Sequence, residues 1–276
     1  MEGKLILIAT PIGNLKDISQ RALDEMSSAD FIAAEDTRVT AKLLNHFEIK
    51  KPLTSYHEHN MDDKGFKILN KIKEGNTCVL VSDAGMPAIS DPGEKLVSLC
   101  AEAGIQVSII PGACAAVSAL AISGLNTSRF VFEGFLTVNK KNRRSRLEEL
   151  KFEKRTLIFY EAPHKLMKTL KDMHYFFGDR KIALVRELTK IHEEVIRTTL
   201  KESLNIYTGD NKPKGEFVII VQGNKLIEKE YTLYEAVDMA SMFIEEGDAK
   251  SLACKKAAKI TGFGKSEIYS KIASQK

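Results

Sequence analysis

Cysteine is scarce: Cys78, Cys100, Cys114 and Cys254 are the only four in 276 residues, and no two form a CxxC pair. That spacing argues against a disulfide-stapled domain or a zinc ribbon. Because the first residues also carry no basic-then-apolar signal pattern, a reduced, cytoplasmic chain is expected. Long apolar runs are missing as well. The most apolar tract, Val107 to Leu125, is interrupted by Pro111-Gly112, Ser118, Ser123 and Gly124 and is rich in Ala. It reads as strand, turn and helix, so no membrane is expected as a partner. The glycine-rich signatures GxGxxG and GxxxxGK[ST] are absent, which demotes NAD and ATP, and neither GxSxG nor HExxH occurs. His57, His59, His164 and His192 lack ligand spacing, and no metal is expected. The net charge is only +4, from 41 basic and 37 acidic residues, too small a surplus to identify a polyanionic partner. With 43% hydrophobic and 28% charged residues, the chain is neither disordered nor fibrous, and its length suits one large or two modest domains.

The charge is unevenly spread. Lys140 to Arg155 is net +5, Gly247 to Lys276 is net +5, and the rest of the chain is therefore −6. Two basic segments on a mildly acidic body suit a phosphate backbone, although either run alone also fits a solvated helix face.

Apolar strings ending in loops repeat along the chain. Leu5 to Ala9 reads as a buried strand closed by Thr10-Pro11-Ile12-Gly13-Asn14, and Phe31 to Ala34 as a second strand closed by Glu35-Asp36-Thr37-Arg38. Further strands are expected at Thr77 to Val81, Ile105 to Ile110, Phe130 to Glu133, Thr156 to Glu161, Ile182 to Glu187, Val195 to Leu200 and Glu216 to Val221, with helical spacing between many of them. Alternating βα units imply mostly parallel sheets, and the length suits two. We therefore expect an α/β protein with an N-terminal domain over residues 1–115, a second α/β domain over 116–225 and a helical module over 226–276. In that last segment Leu252, Ala257, Ile260, Ile268 and Ile272 would be core positions, broken at Gly262-Phe263-Gly264, as in a helix-turn-helix or a plain three-helix packing.

The string SDAGMPAISDPG, Ser82 to Gly93, follows a strand and leads into a helix that Asp91, Pro92 and Glu94 would start as cap, first residue and capping-box acid. Such a loop exposes backbone donors and acceptors at the carboxyl edge of a sheet, where open α/β folds bind ligands.

The strings IATPIGNLKDIS at the start, AEDTR at 34–38, SDAGMPAISDPG at 82–93, IPGACAAVSALAISGL at 110–125, FEGFL at 132–136, YEAPHK at 160–165, RELTKIHEE at 186–194 and KGEFVIIV at 214–221 resemble a known group. It is the small-subunit ribosomal RNA 2′-O-ribose methyltransferase I group, a branch of the tetrapyrrole methylase superfamily. The resemblance runs from about Lys4 to Val221, and the helical tail resembles an extra module of many members. It implies two α/β domains with S-adenosylmethionine in the cleft between them. On the first domain the donor would meet Pro11, Asp83, Ala84, Gly85, Pro87, Ser90, Asp91, Pro111, Gly112, Ala113 and Cys114. From the second side it would meet Phe135, Tyr160, Glu161, Ala162, Gly215 and Glu216. Arg38, Arg143, Arg144, Arg146 and Lys165 would contact RNA.

Methyl transfer to the 2′-hydroxyl of a cytidine in small-subunit (16S) ribosomal RNA is the reaction implied. The protein would align oxygen, methyl carbon and departing sulfur, with Glu187 or Glu35 as base and Lys190 or Arg186 as cation. The small ribosomal subunit RNA would be the partner, and the group's habit suggests a homodimer. Methylation of a small tetrapyrrole, or RNA binding without catalysis, are the alternatives. The basic segments and the AEDTR and RELTK strings speak against the former, and the intact SDAGMPAISDPG loop against the latter.

Overall fold

The computed structural model describes residues 2–208, 211–225 and 231–274. The tail's Gln275 and Lys276 and the start of the expected helical module, residues 226–230, lie outside them. Two compact units are formed, residues 1–224 and residues 225–276.

The larger unit opens with β1 (Lys4–Ile8), α1 (Gln20–Ser28), β2 (Phe31–Ala34), α2 (Thr37–His46), β3 (Leu53–Ser55), α3 (Met61–Lys73), β4 (Thr77–Val81), α4 (Gly93–Glu102) and β5 (Gln106–Ile110). These five strands make an all-parallel sheet in the order β3-β2-β4-β1-β5. Successive side chains of a strand point to opposite faces. Leu5, Leu7, Phe31, Ala33, Cys78 and Leu80 accordingly pack on one side against Ile68, Leu69, Ile72, Leu96 and Cys100 of α3 and α4. Ile6, Ile8, Ile32, Ala34, Val79 and Val81 pack on the other against Ala22, Met26 and Leu44 of α1 and α2. Burial on both faces is why these strands read as unbroken apolar runs.

After α5 (Ala115–Ile122) the unit continues with β6 (Phe130–Phe135), α6 (Lys140–Glu149), β7 (Thr156–Glu161), α7 (Pro163–Phe177), β8 (Lys181–Arg186), β9 (Glu194–Thr199), α8 (Leu200–Ser203) and β10 (Phe217–Val221). The second sheet has the order β6-β7-β10-β8-β9. Here the expected mostly parallel arrangement is corrected: only β6 and β7 are parallel, and β10 runs antiparallel between β7 and β8. The reason is connectivity. β8 and β9 are joined by a short turn rather than a crossover helix, which only antiparallel partners permit. One face carries Leu157, Phe159, Leu184, Ile219 and Val221 against α6 and α7, and the other packs on Ala116, Ala119 and Leu120 of α5.

α6 is fastened to α7 by charge as well as through Leu147, which is buried in the apolar core that α7 also joins. Arg143 donates from Nε and Nη2 to Asp172 Oδ2 at 3.0 and 2.7 Å, and Arg144 Nε reaches Asp172 Oδ1 at 3.0 Å. Arg143 is only 9% exposed, which corrects its expected place among RNA contacts: its guanidinium is enclosed and fully engaged. Arg144 and Arg146 remain partly exposed, and Arg146 pairs with Glu133 and Glu149.

The smaller unit holds α9 (Leu233–Glu245), α10 (Lys250–Thr261) and α11 (Lys265–Ala273). Thr232 and Glu235 form a reciprocal capping box before α9, and Gly262, at φ +81°, ends α10. Ala236, Val237, Ala240, Cys254, Ala257 and Ile268 form its core. Leu252 and Ile260, expected inside, are exposed, because α10 presents its small-residue stripe to its neighbours instead. Among the described residues no helix is long and apolar enough to cross a membrane.

Burial alone would raise the Asp172 carboxyl, but the bonds from Arg143 and Arg144 outweigh it and hold the group below the usual carboxylate range. Its stabilisation is present above the unfolded carboxyl's titration and is lost as pH falls through the lower folded value. Truncating a partner of a buried pair costs several kcal/mol. Arg143→Ala is therefore expected to lower unfolding stability by about 3 kcal/mol in urea titrations at neutral pH, with the deficit shrinking toward acid; an unchanged midpoint would remove this role.

Candidate active site

Parallel strands end on one sheet edge, and the strand order places β4 between β2 and β1. The loops that follow these three strands are neighbours for that reason. They are stitched together. Thr10 and Gly85 exchange backbone hydrogen bonds at 2.9 and 3.0 Å, and Thr10 Oγ1 donates to Ser82 O at 3.2 Å. Asp36 N–H donates to Asp83 Oδ1 at 2.9 Å, and Asp83 N–H to Glu35 Oε2 at 3.5 Å.

The loop Ser82 to Pro92 takes an unusual path. Gly85, Ala88 and Ser90 all have positive φ, at +86°, +66° and +70°. Glycine tolerates this, whereas alanine and serine do so only when their surroundings fix them. Asp91 does the fixing: its Oδ1 accepts from Ala88 N–H at 2.9 Å and Gly93 N–H at 2.8 Å, and its Oδ2 from Ile89 N–H at 3.3 Å. The expected capping box is thereby corrected. The cap position is Pro92, and Asp91 serves the loop as much as the helix.

The second sheet brings one end to the same place. Register aligns Phe135 with Tyr160, Tyr160 with Val218, Glu161 with Phe217, and Val218 with Val185. Between the two sheets lies a cavity of about 530 Å³. Of the residues the sequence pointed to, Glu35, Asp83, Ala84, Gly85, Ser90, Asp91, Cys114, Phe135, Tyr160, Glu161, Ala162 and Glu216 line it. Ile12, Met86, Ile89, Leu188 and Val218 line it too, each inside a motif string but not picked out from it, and so does Val185, which lies outside those strings. Strand alternation next to the motifs is the signal that would have found Val185 and Val218.

Other expected residues lie elsewhere. Pro11 lines a neighbouring cavity of about 310 Å³. Gly112 allows a close approach to Ala9, and a side chain at Gly215 would collide with Glu187. Pro87, Pro111 and Ala113 are also outside the lining of the larger cavity. Lys165, half-buried, lies in the first turn of α7. Arg38 is 87% exposed at its side chain and pairs with Asp36 at 2.6 Å.

The acids differ in state. The Glu35 carboxyl is pushed above its usual range by burial first and then by the charges of Asp83, Asp91 and Asp36, against one opposing bond from Asp83 N–H. Glu187 is held below its range, chiefly because its Oε1 accepts from Glu216 N–H at 2.9 Å, with help from Lys190 Nζ at 2.9 Å. Lys190 also bonds Glu216 Oε2 at 3.0 Å; burial opposes its charge, but the two carboxylates outweigh that and raise its pKa. Arg186 is engaged away from the cavity, donating to Lys214 O at 2.7 Å and Glu194 at 3.1 Å. Burial pushes the Tyr160 hydroxyl up to about 12, so it stays protonated, accepting from Ala116 N–H at 3.1 Å.

A parallel and a mixed sheet facing one another across an apolar cleft edged with carboxylates define a two-lobed α/β protein built to enclose a small organic ligand. The sequence profile of the Tetrapyrrole (Corrin/Porphyrin) Methylases matches residues 4–203. A ribosomal RNA small subunit methyltransferase I from Halalkalibacterium halodurans is 49% identical over 97% of this chain and 94% of its own. Among solved structures, a diphthine synthase superposes with a TM-score of 0.59 at 16% identity, over 80% of this chain and 90% of that one. A uroporphyrin-III C-methyl transferase from Thermus thermophilus, complexed with S-adenyl homocysteine, gives 0.55 at 15%, over 80% and 97%. The chain belongs to the tetrapyrrole (corrin/porphyrin) methylase family and, within it, to the ribosomal RNA small subunit methyltransferase I group.

Gly85 lies where two of the stitched loops meet: its φ is +86°, and an added Cβ would lie 3.2 Å from Ile12 Cγ2. Gly85→Ala should cost about 1–2 kcal/mol of stability and weaken S-adenosylmethionine binding at least tenfold by calorimetry. An unchanged dissociation constant would detach this loop from the donor site.

Proposed function

We propose that this protein transfers a methyl group from S-adenosylmethionine to the 2′-hydroxyl of a cytidine ribose in 16S ribosomal RNA. The observation that carries the reading is the carboxylate-edged cavity, in a chain 49% identical to a small-subunit ribosomal RNA methyltransferase over almost its full length. The residues fit the donor. A volume of about 530 Å³ suits a folded cofactor of that size. Ile12, Ile89, Phe135 and Tyr160 offer apolar walls, with Tyr160 packed against Phe132 and Phe135 at ring distances of 5.1 and 5.4 Å. The backbone of Ala84 to Met86 and of Ala162 supplies polar contacts, and Glu35, Asp83 and Asp91 supply negative charge toward a sulfonium. When bound, the donor supplies an electrophilic methyl group on a positively charged sulfur.

The protein's part is to align the acceptor oxygen and to manage its proton. Of the two candidate bases, Glu35 is favoured. It lines the cavity, and its raised proton affinity makes it the stronger acceptor near neutral pH. Glu187 is committed to Lys190 and the Glu216 backbone, so its role is to hold that corner together. Lys190, joined to the cavity-lining Glu216, is the better placed cation than Arg186. The reading includes residence in the cytoplasm and a homodimer. Strands β5 and β6 are each one edge of their sheet and expose Ile109 and Phe130, apolar side chains a second copy could cover.

Labelled donor incubated with small subunits lacking the modification should place label in a 2′-O-methylcytidine. Label in a corrin precursor instead would establish the tetrapyrrole reading, and subunit binding without transfer the non-catalytic one. Glu35→Gln should lower kcat about 100-fold with the donor dissociation constant within a few-fold of the original. In the native protein kcat should rise with pH through a value above that of an ordinary glutamate. Asp83→Asn, by removing the main neighbouring charge, should move that limb to lower pH; a limb that stays put would acquit Glu35.

A further inference from the structure

The second cavity, of about 310 Å³, is not accounted for by donor binding. It lies among the loop after β1, helix α2 and the start of the β4 loop, and its wall includes Ser82 and Asp83, which also line the donor cavity. The two spaces therefore adjoin at one short piece of backbone, Ser82–Asp83. That piece is not slack. Asp83 is fastened by Asp36 N–H on one side and donates its own N–H to Glu35 on the other, so the carboxylate assigned to proton removal is tied to the shared wall.

The chemistry of the walls is mixed in a particular way. Leu15 and Val39 are 42% and 40% exposed, large apolar side chains that the folded core does not use, and with Leu43 they give the cavity apolar faces. Lys42 and His46, one helical turn apart on α2, are at the same cavity. Arg38 lies a turn before Lys42. Its ion pair with Asp36 is exposed and so worth little, which leaves the guanidinium able to exchange Asp36 for another anion. Apolar faces for a flat ring, a carboxylate on the inner wall and cations along one helix describe a nucleoside with phosphates on either side.

We propose that this cavity receives the acceptor nucleoside, its base turned out of the RNA strand and its ribose at the Ser82–Asp83 wall. The proposal deepens the functional reading above and rests on it. A base that stays stacked cannot present its sugar inside a cleft, and enzymes acting on single nucleotides of structured nucleic acid turn them out into a pocket. The volume, at the small end of ligand pockets, admits one nucleoside and is too small for a tetrapyrrole macrocycle. α2 would then follow the phosphates that flank the target.

The test uses the full chain, labelled donor and small subunits lacking the modification. Val39→Trp would fill the cavity from a half-exposed helix position, and Leu15→Ala would remove one of its faces. Both should leave the donor dissociation constant within threefold, as measured by calorimetry. Val39→Trp should lower kcat/KM for subunits at least thirtyfold, and Leu15→Ala at least fivefold, through KM. Lys42→Glu should raise KM and flatten its dependence on salt. Unchanged transfer in Val39→Trp and Leu15→Ala would overturn the proposal. So would a parallel loss of donor affinity in both, since the cavity would then belong to the donor. Failure of the unmodified protein to transfer label to any subunit is a separate result: it would overturn the functional reading, and this proposal with it.

Discussion

The site depends on one constraint, the adjacency of three loops enforced by strand order. Because β4 lies between β2 and β1, the backbone after each strand emerges within hydrogen-bonding distance of the next. The Thr10–Gly85 exchange and the Asp36-to-Asp83 bond convert that adjacency into a single rigid rim. A loop with three departures from ordinary backbone geometry within six residues, Gly85, Ala88 and Ser90, could not keep its path without it. Asp91 closes the far end by satisfying three N–H groups with one carboxylate, so the loop is pinned at both ends. The larger cavity and its smaller neighbour are both bounded by this rim, and neither would persist if it came apart.

The second consequence is electrostatic. Placing Glu35, Asp83, Asp36 and Asp91 together is costly in an apolar cleft, and the molecule answers the cost differently at each. Asp36 is relieved by Arg38 and Asp91 by backbone donors, while Glu35 is left with a single weak bond and a raised proton affinity. Across the cleft the opposite treatment is given to Glu187, which receives a lysine and a backbone N–H. Two glutamates that look interchangeable in the sequence are driven apart by their surroundings, and such separation is how acid–base roles are assigned within one site.

What could be read from the sequence follows the same physics. Strands β2 and β4 of the first sheet are buried on both faces, so Phe31 to Ala34 and Thr77 to Val81 were legible to the residue. β3, three half-buried residues at Leu53–Ser55, carries too short a pattern to register. The direction of β10 was not legible, because a strand's apolar string is the same whichever way it runs. The motif strings located the rim and the Tyr160–Ala162 and Glu216 ends, but nothing marked Ile12 and Leu188 within them or Val185 outside them, ordinary apolar residues given a role only by the fold. Pro111, Gly112 and Gly215 are outside the cavity lining, and at Gly112 and Gly215 a side chain would press on Ala9 and Glu187. Lys190 and Glu216 were each visible, while their bond, spanning two strands, was not.

Charge shows most clearly how far a sequence count can mislead. Lys140 to Arg155 carries the same surplus as the tail, yet within the fold Arg143 and Arg144 share Asp172, Arg146 takes Glu133 and Glu149, and Arg155 takes Glu153. Among the described residues Lys140, Lys141 and Lys154 of that segment keep no ion-pair partner, so its surface potential is far weaker than its composition. Among the described residues of the tail only Lys256 is ion-paired, with Asp248, while Lys250 and Lys271 lie over the rings of Tyr269 and Tyr234 at 4.7 and 5.3 Å and retain their charge. Lys255, Lys259 and Lys265 are exposed besides. Counterion release depends on charges that are free to meet phosphate, not on charges already spent on carboxylates. The positive charge not spent on carboxylates therefore lies on the small helical unit rather than on α6, whose arginines belong to the architecture.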